Sequence, residues 1–386
     1  MTDPSHSRLE PDAVTGALPV RAEDAFDVEA MAAWLRDNAT PGATDADLSA
    51  VPHVEQFNGG ASNLTYLLRY PGADLILRRP PKGSHHGSAH DMGREYLVQN
   101  QVGQSLPHVP RTVALCEDSS VIGTPFYVME RIDGLIVRKN LPAGVALTRE
   151  QTEVLCRNAV DLLIELHRVD LDATKLTSLD KGDGYVRRQV EGWSKRYRTA
   201  RTWNVGRFEK VMRWLAANQP ADHAHSLVHN DFRFDNLVLD RNDPTRPIGL
   251  LDWELATVGD PLMDLANSLG YWLQADDAKY MQLFRRQPTN LPGMMTRAQV
   301  VAYYCQQTGT DITHRQWIWY EVFGLFRIAV IAQQVYQRYL TKQTTNKQFR
   351  FFGIAVLLLE WRCRRLIASA THLPTDRAND QIGSIR

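Results

Sequence analysis

The stretch from Ser226 to Glu254, SLVHNDFRFDNLVLDRNDPTRPIGLLDWE, holds the residues of this chain best suited to chemistry. His229, Asp231 and Asn236 fall in a polar loop between two short apolar runs, Leu227-Val228 and Leu237-Val238-Leu239. An Asp/Asn/Pro-rich turn leads to a third run, Ile248-Gly249-Leu250-Leu251, which ends at Asp252. Short apolar runs bounded by turn residues read as buried strands. Asp231, Asn236 and Asp252 are therefore expected at strand ends, where a fold can hold them rigidly. Two carboxylates and an amide are hard oxygen ligands and acceptors, the set that Mg²⁺ and a hydroxyl nucleophile require. An Asp in a turn most often only caps the chain. Here loop, spacing and flanking strands agree with one another, which favours the chemical reading.

The spacing sharpens that reading. Protein kinases carry H-x-D with an Asn five residues after the Asp and a second Asp on a later strand. Asp231 and Asn236 keep that offset, and Asp252 follows in Leu-Leu-Asp-Trp-Glu. The segment resembles the aminoglycoside phosphotransferase-like family of small-molecule kinases, with its H-G-D-x-x-x-x-N loop and a metal Asp in D-W-E. The sequel, Ala256 to Ala266, is similar to the branch related to the kinase-like portion of acyl-CoA dehydrogenase fusion proteins. Asn230 stands where Gly is usual, adding a side chain beside the base and removing no catalytic group. The resemblance covers residues 25–370. It implies an α/β (α+β), protein-kinase-like two-lobe fold: a small N-terminal β-sheet lobe, a hinge and a larger helical C-terminal lobe. By the same resemblance Asp231 takes or orients the substrate hydroxyl, while Asn236 and Asp252 hold Mg²⁺ on the nucleotide phosphates.

The elements that must serve these groups lie upstream. Residues 53–80 alternate like a hairpin followed by a further strand, Asp74 to Arg79. Gly59, Gly60, Ser62 and Asn63 lie between two of the runs, and small residues there let backbone N–H groups approach phosphate. A tight hairpin turn explains them equally well, and they do not form the G-x-G-x-x-G of protein kinases. Arg78 stands where the family sets a strand cation, which would grip phosphate and stay charged. Arg79 points to the opposite face of the strand. Glu95, on a helix starting near Gly93, matches the acid that orients the cation. The run Thr124–Gly134 is implied to be the inter-lobe hinge, with adenine bonded to the backbone of Glu130 and Ile132 and packed by Met129.

Composition sets the outer bounds. The 386 residues suffice for two lobes with a sizeable core. Lys+Arg and Asp+Glu are both 44, so no polyanion-binding signal is present overall. Residues 1–133 nevertheless hold 10 basic and 18 acidic residues, and residues 134–386 hold 34 and 26. Cys116, Cys156, Cys305 and Cys363 show no metal or disulfide spacing and read as small buried hydrophobes. His85, His86 and His90 sit among Gly and Ser and read as loop rather than metal ligands. The N-terminus lacks a basic region and an apolar core, and no run approaches a membrane span, so a cytoplasmic protein is expected.

Along the chain, residues 1–22 and 371–386 read as polar tails around lobes at 23–133 and 134–370. Helices are expected over 27–38, 149–167, 262–273, 298–307, 316–340 and 349–368. In the second of these, Val154, Leu155, Leu162, Leu163 and Leu166 should form the buried stripe. Residues 185–215 mix Arg and Lys with Trp193, Tyr197, Trp203, Phe208 and Trp214, read as helix core plus a solvated basic face rather than a nucleic-acid surface.

The expected activity is transfer of the γ-phosphoryl of ATP, with GTP left open, to a hydroxylated small molecule, dependent on Mg²⁺. The basic second lobe favours an anionic or neutral acceptor such as a hydroxyacyl-CoA. The alternatives are an aminoglycoside-type kinase and a catalytically silent nucleotide-binding protein. Neither nucleic acid nor membrane is an expected partner, and the protein is expected as a monomer or homodimer.

Overall fold

The computed structural model describes residues 16–57, 63–81, 91–344 and 346–372. Gly59, Gly60 and Ser62, and the histidines at 85, 86 and 90, lie outside them. The chain divides into two compact units, one reaching Ile132 and one starting at Asp133.

The first unit is built on an antiparallel sheet. Its strands are β1 (Ala17–Pro19), β2 (His53–Phe57), β3 (Leu64–Arg69), β4 (Asp74–Arg79), β5 (Thr112–Cys116) and β6 (Phe126–Glu130), in the order β1-β2-β3-β4-β6-β5. Helix α1 (Val28–Asn38) begins where Asp27 caps it, accepting the Ala30 N–H at 2.8 Å. It presents Met31 and Leu35 to Leu75, Leu77 and Val128 on one sheet face. Residues of opposite parity, Leu67, Ile76, Tyr127 and Met129, pack with Met92 of α2 (Met92–Val102). Burying each such apolar side chain contributes roughly 1.5–3 kcal/mol. The alternation also separates the two arginines. Arg79 shares the face of Leu75 and Leu77, where its guanidinium bonds Tyr66 Oη at 2.8 Å and lies 5.4 Å from the Phe26 ring centre.

The second unit is helical around α9 (His314–Leu340). With it are α3 (Arg149–His167), α4 (Tyr185–Ala200), α5 (Glu209–Ala217), α6 (Pro261–Gly270), α7 (Lys279–Gln282), α8 (Arg297–Thr308) and α10 (Phe352–His372). Two short hairpins complete it: β7 (Ser226–Val228) with β10 (Thr257–Gly259), and β8 (Leu237–Leu239) with β9 (Pro247–Leu250). Helices α6 and α9 cross closely because Gly324 has no side chain. A Cβ there would lie 2.3 Å from the Ala266 carbonyl oxygen.

A sheet-bearing N-terminal region followed by a helical one is the mixed α/β architecture expected. Several details differ. Ala17–Pro19, placed in a tail by its polar surroundings, pairs with Glu55–Phe57 as an edge strand. Helix α10 continues to His372. Val154 is 42% exposed, because the buried stripe of α3 runs through Leu155, Cys156, Ala159, Leu163 and Leu166, about 100° round the helix. Trp203 is 90% exposed, lying beyond the end of α4 rather than in its core. All four cysteines are buried and unpaired.

Candidate functional site

In the second unit, β7 ends at Val228 and the polar loop follows at once. Asp264, in the first turns of α6, anchors that loop. The Asp260 side chain caps this helix, with Pro261 as its first residue. The buried Asp264 carboxylate accepts the backbone N–H of His229 at 2.7 Å and of Asn230 at 2.8 Å, and lies 3.2 Å from the His167 ring. Burial alone would raise its pKa. The bond and charge of His167, with the backbone N–H of His229, outweigh burial and hold it below the ordinary carboxylate value.

His229 is a strut in this arrangement. Its Nε2 lies 3.0 Å from the Leu251 carbonyl, which can only accept, so Nε2 carries the proton. Nδ1 is then free to accept the Asp231 N–H at 3.3 Å. Burial pushes the imidazole pKa down and keeps the ring neutral. Trp253, fully buried, packs 5.1 Å from it, centre to centre.

Asn230 adopts φ +64°, the left-handed region that glycine enters freely and Asn tolerates best among residues with a side chain. This accounts for Asn where the family pattern has Gly. The side chain is used in full. Nδ2 donates to Leu255 O at 3.1 Å, and Oδ1 accepts from Tyr185 Oη and Asn267 Nδ2, both at 3.3 Å. The Asn230 carbonyl accepts Arg327 Nη2 at 2.7 Å.

Asp231 is held by its neighbours. Its carboxylate accepts Arg233 Nη2 at 3.0 Å and Asn236 Nδ2 at 3.1 Å, and its carbonyl accepts the same Asn236 nitrogen at 2.8 Å. Arg233 also pairs with Asp235 at 3.4 Å and lies over the Tyr271 ring at 5.0 Å. Pairing of Leu237 with Leu250, extended by Leu251 N–H to Asn236 O at 2.8 Å, joins the segments that carry Asn236 and Asp252. Asp252 also has positive φ, +71°, in the left-handed region that Asp, like Asn, enters more readily than most residues with a side chain. The donor set suits a hard divalent cation. Asn236 spends its amide nitrogen on Asp231 and leaves the amide oxygen for a metal, and Asp252 offers a carboxylate.

In the first unit, Arg78 has the parity of Ile76 and so faces α2. There it meets Glu95 at 3.2 Å. Glu95 is 1% exposed, accepts Tyr127 Oη at 2.9 Å and lies 3.5 Å from Asn63 Nδ2. Met129 is buried against Gln99. The Glu130 N–H is taken by Arg111 O at 2.8 Å, so only its carbonyl is left for a ligand. Ile132 is half-buried at the end of the unit.

The sequence reading passed over Asp264, His167, Arg233 and Arg327 as site residues. For Asp264 a signal existed: an acid inside the apolar run Leu262 to Leu269 is expected to be buried and bonded.

Several known proteins are similar to the chain. It is 35% identical over 334 residues to mouse acyl-CoA dehydrogenase family member 10, covering 86% of this chain and 30% of that protein. Against human family member 11 the identity is 32% over 338 residues, covering 87% and 42%. The chain thus spans less than half the length of these relatives. A solved candidate aminoglycoside phosphotransferase from Ralstonia eutropha is 29% identical with a TM-score of 0.73, covering 89% of this chain and 99% of that one. The kinase-like fold is shared at lower identity, 16% with a TM-score of 0.53, by an aminoglycoside phosphotransferase solved with AMP-PNP and hygromycin B; the match covers 84% of this chain and 95% of that one. Residues 53–299, well over half of the chain, match the family model described as the APH phosphotransferase enzyme family, and the chain belongs to that family.

Proposed function

We propose that this phosphotransferase moves the γ-phosphoryl group of ATP to a hydroxyl of a small molecule, with Asp231 as the base or hydroxyl-orienting group. The observation that carries this reading is the grip on Asp231, whose carboxylate is fixed by Arg233 at 3.0 Å and Asn236 at 3.1 Å. A carboxylate held by two donors on the same oxygen, Oδ2, is positioned to accept the acceptor's proton without searching for its geometry. Asn236 and Asp252 would hold Mg²⁺, which neutralises phosphate charge when bound. Arg78, oriented by Glu95, would supply a fixed positive charge to phosphate oxygens. Asn63, and Gly59, Gly60 and Ser62 outside the described residues, are proposed to touch phosphate, and Met129, Glu130 and Ile132 to meet the base. The bound AMP-PNP of the hygromycin-complexed neighbour supports ATP as donor.

The acceptor is proposed to be anionic or neutral, with a hydroxyacyl-CoA as first candidate, because of the basic second unit and the relatives' names. Among the described residues no helix is long and apolar enough to cross a membrane. The test is an ATP-turnover screen over hydroxylated small molecules, hydroxyacyl-CoAs and aminoglycosides, run beside Asp231→Asn. Acceptor-dependent ADP formation that this variant loses is the expected result. Equal turnover by the variant would remove Asp231 from the reaction, and an aminoglycoside as best acceptor would overturn the acceptor class.

A further inference from the structure

Arg327 of α9 is 3% exposed and donates through Nη2 to the carbonyl of Asn230, the residue before Asp231. Its other terminal nitrogen, Nη1, is buried without a hydrogen-bond partner. Among the described residues it has no carboxylate within ion-pair distance. A buried guanidinium without a counter-charge is unfavourable unless something supplies one. A second cation stands close by. Gln189, Trp193 and Arg196 share one face of α4, and the guanidinium carbons of Arg196 and Arg327 lie 4.5 and 5.1 Å from the Trp193 ring centre. Arg196 is solvent-exposed, borders a depression shared with Lys195, Thr199 and Gln334, and likewise has no acid paired to it among the described residues. The two guanidiniums repel: Arg196 is held below its ordinary pKa, first by partial burial and then by the charge of Arg327.

We propose that Arg196 and Arg327, gathered around Trp193, form a subsite for an oxyanion of the acceptor, a carboxylate or a phosphate, beside the loop that carries Asp231. Two like charges kept together with no acid repel, so an anion that joins them is favoured there, and guanidinium forks suit both oxyanions. The aromatic face explains how they are kept together without one. The exposed Arg196 meets the anion first and Arg327 lies behind it, one residue from the base. The proposal rests on the phosphotransferase reading above and adds where the acceptor's charge is recognised.

Calorimetric titration of the full chain tests it without turnover. The probes are 6-hydroxyhexanoate, its methyl ester and glycerol 3-phosphate. One or both anions should bind the wild type, and Arg196→Gln and Arg327→Met should each weaken that binding about tenfold or more, the size of one charge-assisted hydrogen bond. The neutral ester should bind all three proteins alike. Arg327→Lys, which keeps the charge, should recover part of the loss. The stronger of the two anions tells carboxylate from phosphate. Asp231→Asn should bind the anion as wild type does while losing phosphoryl transfer, which separates failure of this subsite from failure of the proposed chemistry. If Arg327→Met does not fold, the exposed Arg196→Gln decides. Anions that bind no better than the ester, or that bind both arginine variants as they bind the wild type, overturn the proposal.

Discussion

The buried carboxylate of Asp264 accepts the backbone N–H of His229 at 2.7 Å, so a helix thirty-five residues downstream sets the shape of the loop that presents Asp231. The same carboxylate takes the next N–H, that of Asn230, and meets the ring of His167. Both of its oxygens are thus committed to groups that nothing else satisfies.

Asp264→Asn is nearly isosteric, yet one of its two polar atoms becomes a donor facing a backbone donor. The cost of leaving a buried N–H unpaired and weakening a charge-assisted bond is expected to be about 2–4 kcal/mol. A shift of the urea midpoint checks this. A midpoint unchanged from wild type would mean that the loop holds its shape without Asp264.

His229 gives a pH dependence of definite sign. Burial lowers its folded pKa below the ordinary imidazole value of 6.5. As pH falls below about 6.5 the unfolded chain takes up a proton that the native ring refuses, so stability declines toward acid. His225 acts in another window. Its bond to Asp180 raises its pKa, and its contribution is complete below 6.5 and lost as pH rises through the raised value. Urea midpoints measured from pH 6.5 down to 5 should therefore fall more steeply for wild type than for His229→Asn. Parallel curves would show that His229 does not titrate in that range.

The loop proposed to be catalytic was legible as a structural unit because its groups are local. Asp231, Asn236 and Asp252 lie within 22 residues, bounded by short apolar runs and turn residues that read as strands. That Arg78 and Glu95 meet is a finding of the structure; the two were legible only through the family resemblance, with strand alternation separating Arg78 from Arg79. What fixes the loop was not. Asp264, His167 and Arg327 reach it from α6, α3 and α9, and such contacts follow from how helices cross, including the approach at Gly324. The φ of Asn230 was likewise hidden, since Asn tolerates the left-handed region without demanding it. Val154 misled because it sits beside Leu155, and either could begin an apolar stripe.

Glu95→Gln removes the charge opposite Arg78 in a buried place while keeping the Tyr127 bond possible. If Arg78 grips phosphate, the freed guanidinium loses its orientation and nucleotide affinity should fall about tenfold. Arg78→Ala should fall at least as far. Titration with a non-hydrolysable ATP analogue reads both. Unchanged affinity in the two variants would assign the pair a purely structural role.

Metal dependence should separate Asp252 from Asn236. A carboxylate is the stronger ligand for a hard cation, so Asp252→Ala should raise the Mg²⁺ concentration needed for nucleotide binding more than Asn236→Ala does. Asn236→Ala should also loosen Asp231, since its amide nitrogen binds both the carboxylate and the carbonyl of that residue. Its defect should therefore persist at saturating Mg²⁺, whereas that of Asp252→Ala should partly recover. Identical Mg²⁺ titrations for wild type and Asp252→Ala would sink the metal assignment.

Asp231→Asn isolates the base. Arg233 and Asn236 both donate to the Asp231 side chain, and an asparagine there can still accept through its amide oxygen, so the loop should keep its shape. What is lost is the second acceptor oxygen and the capacity to take a proton. Phosphoryl transfer should fall by on the order of 10²–10⁴-fold, the range for a general acid–base group. Nucleotide and Mg²⁺ affinities should stay close to wild type, because Asn236 can still donate to the new amide oxygen and to the carbonyl of residue 231, and the other proposed contacts do not touch this side chain. That pattern, a loss in kcat with binding intact, distinguishes a base from a structural prop, whose removal would move stability and binding together. Turnover near the wild-type rate with acceptor present would exclude Asp231 from proton transfer and leave it as an anchor for Arg233.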